Sequence, residues 1–393
     1  MQSISQSPTD AEFVQDPYPF YKHARSLGDF VEWTDYGMTM ATTQAAVSAV
    51  LKHPHLGRPA PEEDRTPSPA HLTSFYRVEA NSLLEREPPD HTRLRSLVLR
   101  AFTRNRILHL APEISRIADE LIDAFPDGPF DIIDAYARPM PIRIICRLLG
   151  VPEDMGDQLQ AWSNDMVAMY QARRDMAAEL RAEASSTAFT DFMHRYIEKR
   201  RKAPRQDLLS DLIAAEQDGE KLSTDELIAT CILLLNAGHE ATVHAIGNSI
   251  RHLTEYPEKQ LAIGPDHIAG TVEECLRFDP PLHMFTRYVY QDVGILGQQF
   301  RRGDKIGCLL ASACRDDAVW PDGETLDPFR AVRTNLSFGA GIHFCVGAPL
   351  ARMEMQIALP ALFSRCRSLK LAEEPRIADL YHFRGLERLI VSR

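Results

Sequence analysis

The sequence predicts a mainly α protein with a small, partly antiparallel β region, and three observations carry that prediction. From about Arg93 to Arg277 the apolar residues recur almost wholly at helical spacing. Strand-like runs are confined to the two sides of this stretch. The longest helical candidate opens on Ser223 and runs to Pro257, long enough to cross a domain, so the interior must be built around it.

Taken in order, FVEWT and MTMATT flank Asp35-Tyr36-Gly37 as the arms of a hairpin would. The stretch from His53 to His71 carries five prolines; each removes an amide donor and fixes its backbone, so the stretch reads as a surface loop. The long helix begins with a capping box, Ser223 and Glu226, in which each side chain satisfies the other residue's amide. Leu227, Cys231, Leu234, Leu235 and Ile246 give it an apolar stripe. In its middle lies NAGHEATV, where a glycine costs about 1 kcal/mol against alanine. Gly238 therefore marks a close approach or a local opening. After Phe285, FTRYVYQDVGILGQQFRRGDKIGCLL reads as several short strands with glycine turns.

Composition narrows the function classes. The 393 residues are 44% apolar and 25% charged, which excludes a disordered or collagen-like chain. With 44 basic against 55 acidic residues the net charge is −11, which disfavours a nucleic-acid partner. Seven cysteines, odd in number and never spaced C-x-x-C, indicate neither a disulfide framework nor a zinc site, and point to a reducing compartment. No uncharged run reaches membrane-span length and the amino terminus has no apolar core, so a cytoplasmic protein without a membrane anchor is expected.

The chemistry concentrates in FGAGIHFCVGAPLAR, Phe338 to Arg352. Gly339, Gly341 and Gly347 let backbone amides approach a ligand closely. Cys345 directly precedes a helical run beginning near Ala348, where the dipole and open amides favour a thiolate. An iron held by one thiolate is the chemistry that fits.

In its order of Phe, Gly, Gly, His, Cys, Gly and Leu-Ala-Arg, this segment resembles, without a gap, the haem-binding loop of the cytochrome P-450 family, the haem-thiolate monooxygenases. The resemblance extends over nearly the full length and is greatest to the soluble bacterial members. Glu274-Cys275-Leu276-Arg277 resembles the family's Glu-x-x-Arg helix, with Arg330 in LDPFR as the third member of a structural triad. EREPPDHTRLR resembles the segment entering the helix at the haem edge.

What the resemblance implies is a single triangular domain over residues 1–393, without a fused reductase. Haem b lies between the long distal helix and the proximal cysteine loop, held by Cys345 on the iron with Phe338, Gly339 and Gly347 around it. His91, Arg95, Arg287 and His343 serve the propionates, because buried carboxylates demand fixed cations or strong donors. On the distal helix Gly238 opens room for dioxygen and Glu240 relays protons. The commonest pattern has Thr or Ser next; this chain has Ala241, with Thr242 one position later and about 100° further round. Proton delivery is therefore expected to use ordered water or a substrate hydroxyl. Leu233, Asn236, Ala237, Leu282, His283 and Phe285 are expected to line the pocket, which suits a mainly apolar substrate with a polar group anchored by Asn236 and His283. An acidic ferredoxin with its reductase, or a flavin reductase, is expected to dock near Arg93, Arg100 and Arg104 on the basic helix that also carries Arg95 and Arg106. The run Lys199 to Arg205 reads as a solvated helix end. The expected activity is hydroxylation, epoxidation or dealkylation by a monomer; the alternatives are oxidative coupling, desaturation or peroxide use, or haem binding without turnover.

Overall fold

The computed structural model describes residues 1–65, 67–171, 173–217 and 222–393. The chain forms two compact units, each assembled from separate stretches: 1–65, 118–137 and 241–393 in the first, 66–117 and 138–240 in the second.

The first unit holds the β structure. Its six-stranded sheet has the spatial order Gln2–Ile4, Phe30–Trp33, Met38–Ala41, Lys305–Leu309, Met284–Val289, Leu56–Gly57. The predicted hairpin is there, antiparallel with Trp33 opposite Met38, and so are the short strands after Phe285. Met284–Val289 pairs antiparallel with Lys305–Leu309, which sets Arg287 opposite Ile306. The proline-rich stretch is less of a loop than expected. Leu56 and Gly57 within it form the sheet's edge strand against Val289 and Tyr288, because a short edge segment tolerates flanking prolines that need no ladder donor; Thr66 lies outside the described residues. One face of this sheet packs on an aromatic core that includes Phe13, Tyr18, Tyr21, Trp33 and Tyr381.

Helices dominate the second unit, among them Asp90–Ala101, Pro139–Leu149, Gly156–Val167 and Met176–Lys202. The long helix, Thr224–Glu255, has 32 residues, about 48 Å at 1.5 Å per residue. Its capping box is formed as read: the Ser223 amide donates to Glu226 Oε2 at 2.8 Å and the Glu226 amide to Ser223 Oγ at 3.2 Å. The helix leaves the second unit at Glu240 and enters the first at Ala241. Among the described residues no helix is long and apolar enough to cross a membrane.

The basic run at 199–205 contains one surprise. Arg200 is buried, and its guanidinium donates to the Gly150 carbonyl at 2.6 Å and pairs with Asp207 at 3.2 Å, so it ties two helices instead of facing solvent.

Glu274 and Arg277, on the helix Ile268–Phe278, lie three residues apart on one face and form a bidentate pair, with both N–O distances 2.7 Å. Arg277 is 1% exposed and spends its remaining donors on the carbonyls of Cys314, Gly323 and Thr325. Arg330 reaches Glu274 at 3.4 Å and bonds more closely to the Pro321 carbonyl at 2.6 Å. Removing one member of a buried pair leaves an uncompensated charge. Arg277→Ala is therefore expected to destabilise the fold by about 3–5 kcal/mol, read as a lowered denaturant midpoint, with Glu274→Ala similar. A midpoint within experimental error of wild type would contradict this account.

Candidate active site

The cysteine loop begins with geometry that glycine permits. Gly339 and Gly341 have φ of +71° and +74°, the left-handed region that other residues avoid. A Cβ on Gly341 would lie 2.2 Å from the Leu51 carbonyl oxygen, and one on Gly339 would meet the Phe285 ring at 3.3 Å. The loop is closed by the Cys345 amide, which donates to the Phe338 carbonyl at 3.1 Å. Phe338 is itself pinned under the Arg352 guanidinium, 4.5 Å from its centroid, while Glu273 holds that arginine from the neighbouring helix. Cys345 ends up three residues before the helix Ala348–Arg365, whose N-cap is Gly347.

The cysteines divide sharply. Among the described residues six are buried and Cys345 alone is partly exposed. Burial pushes the thiols of Cys146, Cys231, Cys275 and Cys308 up to about 12 and that of Cys314 to about 11, so they are inert at neutral pH. A sulfur kept accessible beside a helix N-terminus, on a loop whose glycines keep side chains away, suits a ligand with a large flat face.

Two further groups in the first unit suit that ligand. Arg287 is buried at 3% exposure on the strand Met284–Val289. His343 ends the short helical turn Gly341–His343, two residues before Cys345. In the second unit, His91, 2% exposed, and Arg95 lie one turn apart on the helix Asp90–Ala101. Cations and imidazoles of this kind are the groups that the two carboxylates of haem b demand.

A family model described as "Cytochrome P450" matches residues 17–264 and 268–383. The chain belongs to this family. The biotin biosynthesis cytochrome P450 of Bacillus subtilis is 33% identical over 402 residues, covering 99% of each chain. Vitamin D(3) 25-hydroxylase of Pseudonocardia autotrophica is 36% identical, over 97% of this chain and 94% of its own. The crystal structure of P450BioI in complex with an acyl carrier protein ligated to hexadec-9Z-enoic acid superposes with a TM-score of 0.92 at 32% identity, covering 98% of this chain and all of that one. As a cytochrome P450 the protein is a haem b monooxygenase that oxidises small organic molecules with electrons from redox partners.

The residues expected at the P450 site differ in their surroundings. Glu240 is largely enclosed, its Oε2 has no hydrogen-bond partner among the described residues, and burial raises its carboxyl to about 7. A carboxyl raised in this way can gain or lose a proton near neutrality. Thr242 is buried at 5% exposure. Leu233, Asn236, Ala241, Leu282 and Phe285 are partly exposed and Ala237 is exposed.

At Gly238 the structure shows a close approach of two helices. A Cβ there would point at Ile145, 3.0 Å from its Cγ1 and Cδ1, so the glycine lets the long helix approach the helix Pro139–Leu149. His283 is not a pocket anchor. It is fully buried among Tyr18, Tyr21 and Tyr381, and its Nδ1 bonds the Tyr21 hydroxyl at 2.8 Å, which in turn donates to Tyr381 at 2.9 Å. Burial holds its imidazole well below the ordinary value, hence neutral. Arg93 is partly exposed and its guanidinium pairs with Glu226 of the long helix; Arg106 pairs likewise with Asp211. Arg100 and Arg104 remain exposed on the surface.

The sequence reading passed over Asp279 and Arg384. Asp279 follows the Glu-x-x-Arg helix, is 2% exposed, and meets Arg384 at 3.0 Å and Tyr18 at 2.6 Å. Arg384 and His252 hold its carboxyl well below the usual range despite burial. Asp279 lies only two residues beyond Arg277, but nothing local announces a partner more than a hundred residues away.

Proposed function

We propose that Cys345 supplies the thiolate on the haem iron, with Phe338, Gly339 and Gly347 framing it and His91, Arg95, Arg287 and His343 receiving the propionates. The observation that carries this reading is the single accessible cysteine beside a helix N-terminus while six others are buried. When bound, the haem supplies the redox centre at which dioxygen is reduced.

The chain's own residues do the rest. Cys345 would hold the iron through its thiolate, whose charge would favour the oxygen chemistry. Glu240, half-protonated near pH 7, passes a proton from its carboxyl to a water or a substrate hydroxyl, because Ala241 offers none and Thr242 is turned about 100° away along the helix. Leu233, Ala237, Leu282 and Phe285 give an apolar wall for the substrate body. The relatives named for vitamin D(3) and for a carrier-linked hexadecenoic acid agree with a mainly apolar substrate.

For electron delivery we place a ferredoxin or flavin reductase near Arg100 and Arg104, where electrostatic attraction would raise the on-rate. A reducing cytoplasm suits seven free cysteines. The test is a reconstitution with a ferredoxin, its reductase and labelled dioxygen over a compound panel. The expected result is substrate-dependent nicotinamide consumption with one labelled oxygen per product molecule. Product formed only with hydrogen peroxide, or product without label, would overturn the monooxygenase reading.

A further inference from the structure

Several polar side-chain atoms on the long helix are buried without a hydrogen-bond partner among the described residues, and two of them belong to Asn236 and Glu240. Asn236 and Glu240 are four residues apart and so lie on one face of the helix. The Asn236 amide nitrogen faces the Met166 sulfur at 3.7 Å, a weak acceptor that fixes which end of the amide points there. Its Oδ1 is left buried with no hydrogen-bond partner, as is Oε2 of Glu240. Each such atom costs about 1–3 kcal/mol when unsatisfied, so two of them on one face mark a place where something polar completes the set.

The geometry defines what fits. Residues four apart on a helix have Cβ atoms about 5–6 Å from each other, and one oxygen can hydrogen-bond to both side chains. Asn236 Oδ1 accepts only. Glu240 is partly protonated at neutral pH, and its carboxyl proton can be donated. The matching group is therefore one that donates to Asn236 and accepts from Glu240. An alcohol does both with a single oxygen; an ether lacks the donor and a ketone likewise.

We propose that Asn236 and Glu240 form a two-point receptor for a hydroxyl group on the substrate, so that the protein selects apolar molecules bearing an alcohol. This inference rests on the monooxygenase reading and assigns its substrate class. It also gives Ala241 a reason: the hydroxyl that the helix lacks at that position arrives on the substrate, already bonded to the acid.

The experiment titrates the haem-loaded protein with dodecanol, cyclododecanol and cholesterol, each beside its methyl ether and its deoxy hydrocarbon. Affinity is read by calorimetry and by the haem spin-state change. The wild type is expected to prefer at least one alcohol over its ether about tenfold. Asn236→Leu should erase that preference while leaving ether and hydrocarbon affinities within about twofold, and the alcohol should shift the Glu240 carbonyl stretch in the infrared, a band that Glu240→Gln removes. Alcohols that bind no better than ethers in the wild type would mean that ordered water fills the site, and the inference would fall; a preference that survives in Asn236→Leu would also end it. Failure of the underlying reading shows separately, as a missing thiolate band in the reduced, carbon monoxide-bound protein, while calorimetry still decides the alcohol preference.

Discussion

Cys345→Ser is expected to give a folded protein whose reduced, carbon monoxide-bound form lacks the red-shifted thiolate Soret band and which forms no substrate-dependent product. The fold should survive because the loop is closed by the Cys345 amide on the Phe338 carbonyl and by the two left-handed glycines, neither of which needs the sulfur. The chemistry should not survive, because the remaining cysteines are buried with five of their thiols pushed far above neutrality and cannot take over as ligands. The checks are the carbon monoxide spectrum, far-ultraviolet circular dichroism and product assay on one preparation. A persistent thiolate band in the serine variant would show that another sulfur holds the iron.

The second large effect concerns Glu240. Glu240→Gln removes the proton but keeps the shape, and the coupled product rate is expected to fall about 10²-fold, the lower end of what a positioned acid contributes. In the wild type the acid form predominates below about pH 7, so the product rate should decline as pH rises through that value, and the glutamine variant should lack this limb. Stability moves with the same group. Its carboxyl is raised from 4.5 to about 7 by burial, so the folded state binds the proton more tightly than the unfolded chain. The resulting stability is fully present below about pH 4.5 and is lost progressively up to about pH 7. Glu240→Gln should accordingly raise the melting temperature more at pH 8 than at pH 5. Equal changes at the two pH values would show that the carboxyl is not perturbed by burial.

What could be read from the sequence was whatever the chain writes locally. The long helix announced itself by its capping box and apolar stripe, the hairpin by its turn between alternating runs, and the cysteine loop by glycines at fixed distances from Cys345. The errors arose where distant residues decide. Gly238 read equally as a close approach or an opening because its partner Ile145 lies on another helix. His283 looked like an anchor because the tyrosines that enclose it come from residues 18, 21 and 381. Arg93 looked available because Glu226 lies 133 residues away. The division into two units was equally illegible, since each is stitched from stretches far apart in the chain.

The uneven distribution of sulfur chemistry bears on how the enzyme ages. With one accessible cysteine among seven, oxidation falls on the sulfur that we propose holds the iron. While haem is bound, that sulfur is occupied. Once haem departs, the thiolate is exposed to peroxide, and conversion to sulfinic acid cannot be reversed by ordinary thiols. Each loss of cofactor thus starts a clock, and inactivation that begins as reversible dissociation becomes permanent through a single atom.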